Sequence, residues 1–288
     1  MGAGPNWHDW SPFADSNIVI CYHAGDYDMH GTGIVRIFNG DGFVIASDGL
    51  RRDLDGNEVS ANEQKVFNTI YEKAAFAFAA TGVTYVCQGD VPFDVCQQLK
   101  AIDATLAAKQ YDSPVRYIEA FSKALKRVFC EAQADGRIIE IRDYGKGNLI
   151  TRVLFAGYYL RRPFMAQIGL YRDGQKIDSA HHSVDNLARK DIKIEISGSE
   201  AIKQSFLSAD DLTFPARDLS SWDAVRNRRP FTIKGGVELA RTYLAACASP
   251  EGRKLDKECE SIGGHIHVAT VTLTDGFQWV EPPVKNCG

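Results

Sequence analysis

Residues 33–48 read GIVRIFNGDGFVIASD, and the fold is decided there. Ile34, Val35, Ile37 and Phe38 stand before the turn Asn39-Gly40-Asp41-Gly42, and Phe43, Val44, Ile45 and Ala46 stand after it. Two β-prone runs joined by a turn of this chemistry predict a β-hairpin. Both runs are apolar at nearly every residue, so these strands are expected to be covered on both faces. Val66-Phe67 and the small apolar run Ala74 to Ala80 predict a second pair of strands.

Further along, two helical segments are expected, Tyr85 to Ala108 with a break near Pro92 and Val115 to Gln133. In the second, Tyr117, Ile118, Phe121, Leu125, Val128 and Phe129 recur at helical spacing, and Asp135-Gly136 closes the run. Strands are predicted at Ile138–Ile141, Val153–Tyr159, Phe164–Tyr171 and Ile192–Ile196. A short helix at Glu200–Ser208 follows, then a long loop to Pro230 in which Asp210 to Pro230 reads as surface. A helix at Gly236–Ala248 leads to a closing hairpin, His265–Thr272 and Phe277–Val280, turned at Asp275-Gly276. Strands and helices come in blocks, not in the regular alternation of a doubly wound parallel sheet. Each sheet alone would leave a face open, so the expected fold is α+β, a single domain with two sheets packed face to face between helical layers.

Composition limits the function. The 288 residues are 44% hydrophobic and 24% charged, which is ordinary for a globular chain and excludes disorder, collagen and coiled coil. With 33 basic against 37 acidic side chains, the net charge of −4 speaks against nucleic acid as a partner, and no basic stripe is visible. The cluster Arg226, Arg228 and Arg229 reads as a solvated loop. No apolar run is long enough to span a membrane, and Met1 to Asp15 lacks the pattern of a secretory signal. Seven cysteines without paired spacings fit reduced thiols in a cytoplasmic protein. No cofactor is implied.

The first 31 residues, rich in Gly, Pro and Trp, read as a leader before the domain at 32–288. Gly31-Thr32 stands immediately before the first strand, Asp48 ends the next one, and Lys65 opens the strand after a polar loop. In these features the chain resembles a proteasome β-type subunit of the N-terminal nucleophile hydrolases, over most of its length from Gly31 to about Pro282. The Thr32 to Asp48 spacing matches without a gap, and Lys65 with a one-residue insertion. The resemblance implies a four-layer αββα sandwich and a peptidase that frees Thr32 by cleaving after Gly31. A threonine hydroxyl is a weak nucleophile, and the freed amine of the same residue supplies a base. Lys65 would lower the hydroxyl's pKa and Asp48 would hold the lysine.

The resemblance assigns further residues. Ala79-Ala80-Thr81-Gly82 is similar to the family's small-residue strand end, making Gly82 an oxyanion donor and Ala80 and Thr81 pocket wall; close packing of a helix on a strand would explain the same residues. Ser197-Gly198-Ser199 is similar to the family's serine-glycine turn, although Ser199 would equally serve as the N-cap of the helix starting at Glu200. Gly263-Gly264 is similar to the glycine pair before the last core strand. There the chain departs from the family: the Asp and Ser expected beside the nucleophile's amine are replaced by Cys259 and Ile262, leaving Glu260 and Ser261 as displaced substitutes. The family also implies a peptide or unfolded-protein substrate, a homo-oligomeric ring and an ATPase partner. Two other readings stay open, a noncatalytic scaffold subunit that keeps its N-terminus and a small-amide hydrolase of the same fold. His265 with His267, and His181 with His182, are conceivable metal ligands, and Cys21 is a conceivable nucleophile.

Overall fold

A computed structural model describes residues 18–20, 32–52, 56–71, 74–87, 91–109, 111–141, 148–208 and 219–284. The expected hairpin forms as β2 (Ile34–Phe38) and β3 (Gly42–Ser47), paired so that Phe38 faces Phe43 and Ile34 faces Ser47. The turn is held by Asn39, whose Oδ1 accepts from the N–H groups of Asp41 and Gly42, both at 3.3 Å. Gly40 takes φ +85°, and a Cβ there would stand 2.2 Å from the Arg189 carbonyl oxygen, so only glycine fits.

Around this hairpin a six-stranded sheet runs in the order β1 (Ile18–Ile20), β13 (Ile192–Ser197), β2, β3, β14 (His267–Thr272), β15 (Gly276–Glu281). Every pairing in it is antiparallel except β1 with β13. A five-stranded antiparallel sheet runs β12 (Lys176–Asn186), β11 (Arg162–Asp173), β10 (Leu149–Tyr159), β7 (Ala74–Gly82), β6 (Val66–Tyr71). Residue alternation sends successive side chains to opposite faces, and three cores result. Ile34, Phe43, Ile45, Val66, Ala77, Ala79, Ala156, Met165 and Ala269 fill the first, which draws on both sheets. Phe76, Phe78, Phe155 and Ile168 of the five-stranded sheet pack with Leu99 of α1 (Val95–Ala107) and with Tyr117, Phe121, Leu125 and Phe129 of α2 (Pro114–Ala134). Val35, Ile37, Val44 and Val268 of the other sheet pack with residues of α3 (Glu200–Ser208), α4 (Ser220–Arg226) and α5 (Ile233–Ala248). The chain is thus a mixture of helices and mainly antiparallel sheets.

α2 starts where Ser113 accepts from the Arg116 N–H at 3.3 Å and Pro114 supplies a preset φ. Phe121 is fully buried and meets Phe155 edge-on at 5.2 Å, so its truncation to alanine would cost about 3–5 kcal/mol.

Three expectations are corrected and two further elements appear. The helix beginning at Tyr85 is replaced by a short ladder of β8 (Tyr85–Val86) and β9 (Phe93–Asp94), and α1 begins only after Asp94, which caps it through the Gln97 N–H. Ile138–Ile141 is not a strand: the Ile138 N–H donates to the Ala132 carbonyl and the Ile141 N–H to the Gln175 side chain, so its hydrogen bonds end the helix instead of extending a sheet. The segment before Pro230 is not all loop, because α4 forms and buries Trp222 in a stack on Phe206 at 4.6 Å. Lys176–Asn186 and α6 (Pro250–Leu255) are elements the sequence reading left out. Gly31, Cys21, Phe214 and the rest of 1–17, 21–31 and 209–218 lie outside the described residues.

Candidate active site

Three chain segments meet at one end of the six-stranded sheet: the start of β2, the turn leaving β3 and the loop leading into β6. Thr32 precedes β2 and is 3% exposed, while Asp48 and Lys65 are each 1% exposed. Lys65 Nζ donates to Thr32 Oγ1 at 3.2 Å, to Asp48 Oδ1 at 3.1 Å and to the Leu50 carbonyl at 2.6 Å. An ammonium carries three donors, and all three are used. A buried charge without partners would be very costly, so this arrangement fixes the lysine in one position.

Asp48 is bound on all sides. Its Oδ1 accepts from the Gly33 N–H at 2.9 Å, and its Oδ2 accepts from the N–H groups of Leu50 at 3.1 Å and Gly263 at 3.2 Å. Burial pushes its carboxyl above the ordinary value, opposed by the Lys65 charge and by the Gly263 and Gly33 N–H groups. The Gly263 carbonyl in turn accepts from the Gly49 and Leu50 N–H groups, so the glycine pair and the β3 turn are laced together. A threonine hydroxyl beside a fixed ammonium has its alkoxide form stabilised, which is the electrostatic requirement of a nucleophile.

The other side of Thr32 is different in kind. A Cβ on Gly33 would come within 2.6 Å of Leu244 and 3.1 Å of Ile262. Gly198, at φ +135°, sits with its Cβ direction 3.5 Å from the Gly33 Cα, which brings the Ser197–Ser199 turn against the start of β2. Ser199, however, caps α3 by accepting from the Ile202 N–H at 3.1 Å and donates its own hydrogen to Asp256. Cys259 is fully buried, its thiol against Cys247 and Ser199. Burial pushes the Cys247 thiol far up, so it stays protonated. Glu260 is exposed, with its carbonyl accepting from Arg52 at 3.1 Å, and Ser261 is half-buried at the end of the 3-10 turn Lys257–Ser261.

The structure therefore brings Thr32, Asp48 and Lys65 into direct contact, sets Gly198 and Ile262 against Gly33 and Ser197 opposite Ile34, and leaves Glu260 facing solvent. Gly82 closes β7 at φ +87°, where a Cβ would stand 2.6 Å from the Ile150 carbonyl. Ala80 is buried in the helix-side core with Phe76 and Phe78. Thr81 is buried with Oγ1 lacking a hydrogen-bond partner, as are Ser47 Oγ and His267 Nδ1. Asp256, Asn62 and the backbone groups of Leu50, Gly33 and Gly263 are the participants that residue types did not signal. His265 and His267 have ring centroids 5.1 Å apart, yet each engages a protein oxygen, and no group of three or more metal-ligating side chains occurs among the described residues. His181 and His182 are exposed neighbours on β12. Among the described residues, no helix is long and apolar enough to cross a membrane.

Among solved structures, the chain is similar to the Anbu (Gly-1) mutant from Hyphomicrobium sp. strain MC1, a proteasome-related protein, with a TM-score of 0.52 at 14% identity over 87% of this chain and 88% of that one. The fold is proteasome-like. No family model matches the chain, and no curated protein matches it.

Proposed function

We propose that this chain is a threonine-type N-terminal nucleophile hydrolase that cleaves peptide bonds and matures by cleavage between Gly31 and Thr32. The observation that carries the reading is Lys65 Nζ, held 3.2 Å from Thr32 Oγ1 by the buried carboxylate of Asp48. In this reading the three cores lie between the four layers of an αββα sandwich, residues 1–31 are a leader and 32–288 one domain. Thr32 Oγ attacks the amide carbonyl, and its proton passes to the freed α-amine of Thr32 and on to the leaving amine. The resulting ester is then split by water. Gly82 supplies an N–H to the oxyanion, Ala80 and Thr81 wall the pocket, and the amine's proton falls to the hydroxyls of Ser197 and Ser261, because Ser199 is engaged with Asp256 and the Ile202 N–H and Glu260 faces solvent. The resemblance adds a peptide or unfolded-protein substrate, a homo-oligomeric ring and an ATPase partner, and the cysteines without paired spacings add a cytoplasmic setting.

A second reading is favoured by one observation: where the resemblance expects a serine, Ile262 packs its hydrocarbon against Gly33, next to Thr32. A noncatalytic scaffold subunit that keeps its N-terminus would tolerate that. Intact mass of the purified, assembled protein beside a Thr32→Ala variant decides between them. Loss of residues 1–31 in the wild type alone is expected from the hydrolase. An uncut wild type would move the assignment to the scaffold.

A further inference from the structure

Lys65 is placed by the loop before it, and that loop is tied to the far end of the described chain. The Ala61 carbonyl accepts from the His265 N–H at 2.7 Å, and the Glu63 N–H donates to the Gly49 carbonyl at 2.8 Å. The approach is close enough that a Cβ on Gly264, at φ +71°, would stand 2.2 Å from the Ala61 oxygen, and one on Gly49 would stand 3.0 Å from it. These contacts hold the inner edge of the loop. On its outer edge Asn62 grips Val284: its Nδ2 donates to the Val284 carbonyl and its Oδ1 accepts from the Val284 N–H at 3.2 Å. A side-chain amide that both gives and takes at one backbone residue reproduces a single β-bridge.

Two histidines secure this segment from β14 and the turn before it. His265 Nε2 lies 3.0 Å from the Pro282 carbonyl, which only accepts, so this nitrogen carries the hydrogen. His267 Nε2 lies 3.1 Å from Asn62 Oδ1, an oxygen already identified as the acceptor by the Val284 N–H. His267 therefore donates as well, and as a fully buried ring it fixes the orientation of the Asn62 amide. The chain of contacts runs from Val284 through Asn62, three residues along the backbone, to Lys65.

We propose that Pro282–Val284 is a strap that positions the Lys65 loop, with Asn62, His265 and His267 as its anchoring residues. None of them touches Thr32, so they act through Lys65. Their importance for catalysis rests on the hydrolase reading, while the strap itself does not. It is tested on the full chain by the rate at which acetic anhydride acetylates Lys65, read by peptide mass spectrometry together with amide exchange of residues 61–66. Asn62→Ala and Val284→Pro, the latter removing the N–H that Asn62 accepts at a residue 55% exposed, should each speed Lys65 labelling about tenfold. The double variant should be no faster than Asn62→Ala alone, because both cut the same link. Lys193, another buried lysine, should keep its wild-type rate.

Unchanged Lys65 labelling in folded Val284→Pro overturns the strap. So does an equal rise at Lys193, which would report global loosening, or effects that multiply in the double variant. Labelling needs no turnover, so a wild type that never cleaves after Gly31 sinks the hydrolase reading and leaves this result intact.

Discussion

The two sides of Thr32 are built from opposite materials. Toward its hydroxyl lie a lysine, a carboxylate and three backbone N–H groups, all buried and all paired. Toward Gly33 lie Leu244, Ile262 and, behind them, Cys259 and Cys247 in an apolar cluster. The first surroundings suit an oxygen nucleophile; the second are mostly hydrocarbon and thiol. Under the hydrolase reading, activation of the hydroxyl and handling of the amine's proton are separate requirements, and the contrast asks which of them limits the rate.

The strongest way to break the contrast is Lys65→Ala. It leaves Asp48 buried without its counter-charge, which should cost about 3–5 kcal/mol in urea unfolding and lower peptide turnover at least about a hundredfold. Equal turnover in wild type and variant would remove Lys65 from the chemistry. To sharpen the contrast from the other side, Cys259→Asp combined with Ile262→Ser gives the amine polar neighbours. Turnover should rise about tenfold while stability falls by about 2–4 kcal/mol. A loss of stability without a gain in rate would show that the amine is not the weak point.

Smaller effects come from pH. Burial, with the charges of His265 and Lys65, pushes His267 down to about 4 from 6.5, so the fold holds it neutral. That contribution is complete above pH 6.5 and is lost as pH falls toward 4, at up to about 1.4 kcal/mol per pH unit. His267→Gln should flatten this slope in denaturant titrations at stepped pH; an unchanged slope assigns it to another group. Last, because Asp48 titrates above its ordinary 3.8, the acid limb of the pH–rate profile should lie above that value and disappear in Asp48→Asn. A limb that persists in the variant belongs elsewhere.

What the sequence revealed follows the same division. The hairpin at 33–48 was legible because its apolar runs flank a turn that only certain residues make, whereas Thr32, Asp48 and Lys65 stood out only through the family resemblance, and the structure shows them in contact. β12 was missed because of its eleven residues only Ile177 is buried, leaving no alternation to read. Ile138 and Ile141 misled in the opposite sense, being buried yet bonded to a helix end and a side chain. At the site, half of what holds Lys65 and Asp48 is main chain, from Leu50, Gly33 and Gly263. Backbone groups are the same in every residue and leave no trace in a sequence.

Away from the site, Arg36 of β2 pairs with Glu195 on β13 and donates to the Phe155 and Ala166 carbonyls of β10 and β11 at 2.9 and 2.6 Å. One side chain is thus anchored in both sheets. Oil-like contacts between two flat faces resist separation but not rotation, whereas hydrogen bonds to two carbonyls set an angle. Arg36→Leu would keep much of the volume and lose that angular lock, so the sheets could turn against each other and carry Lys65 at the head of β6 away from Thr32 at the head of β2.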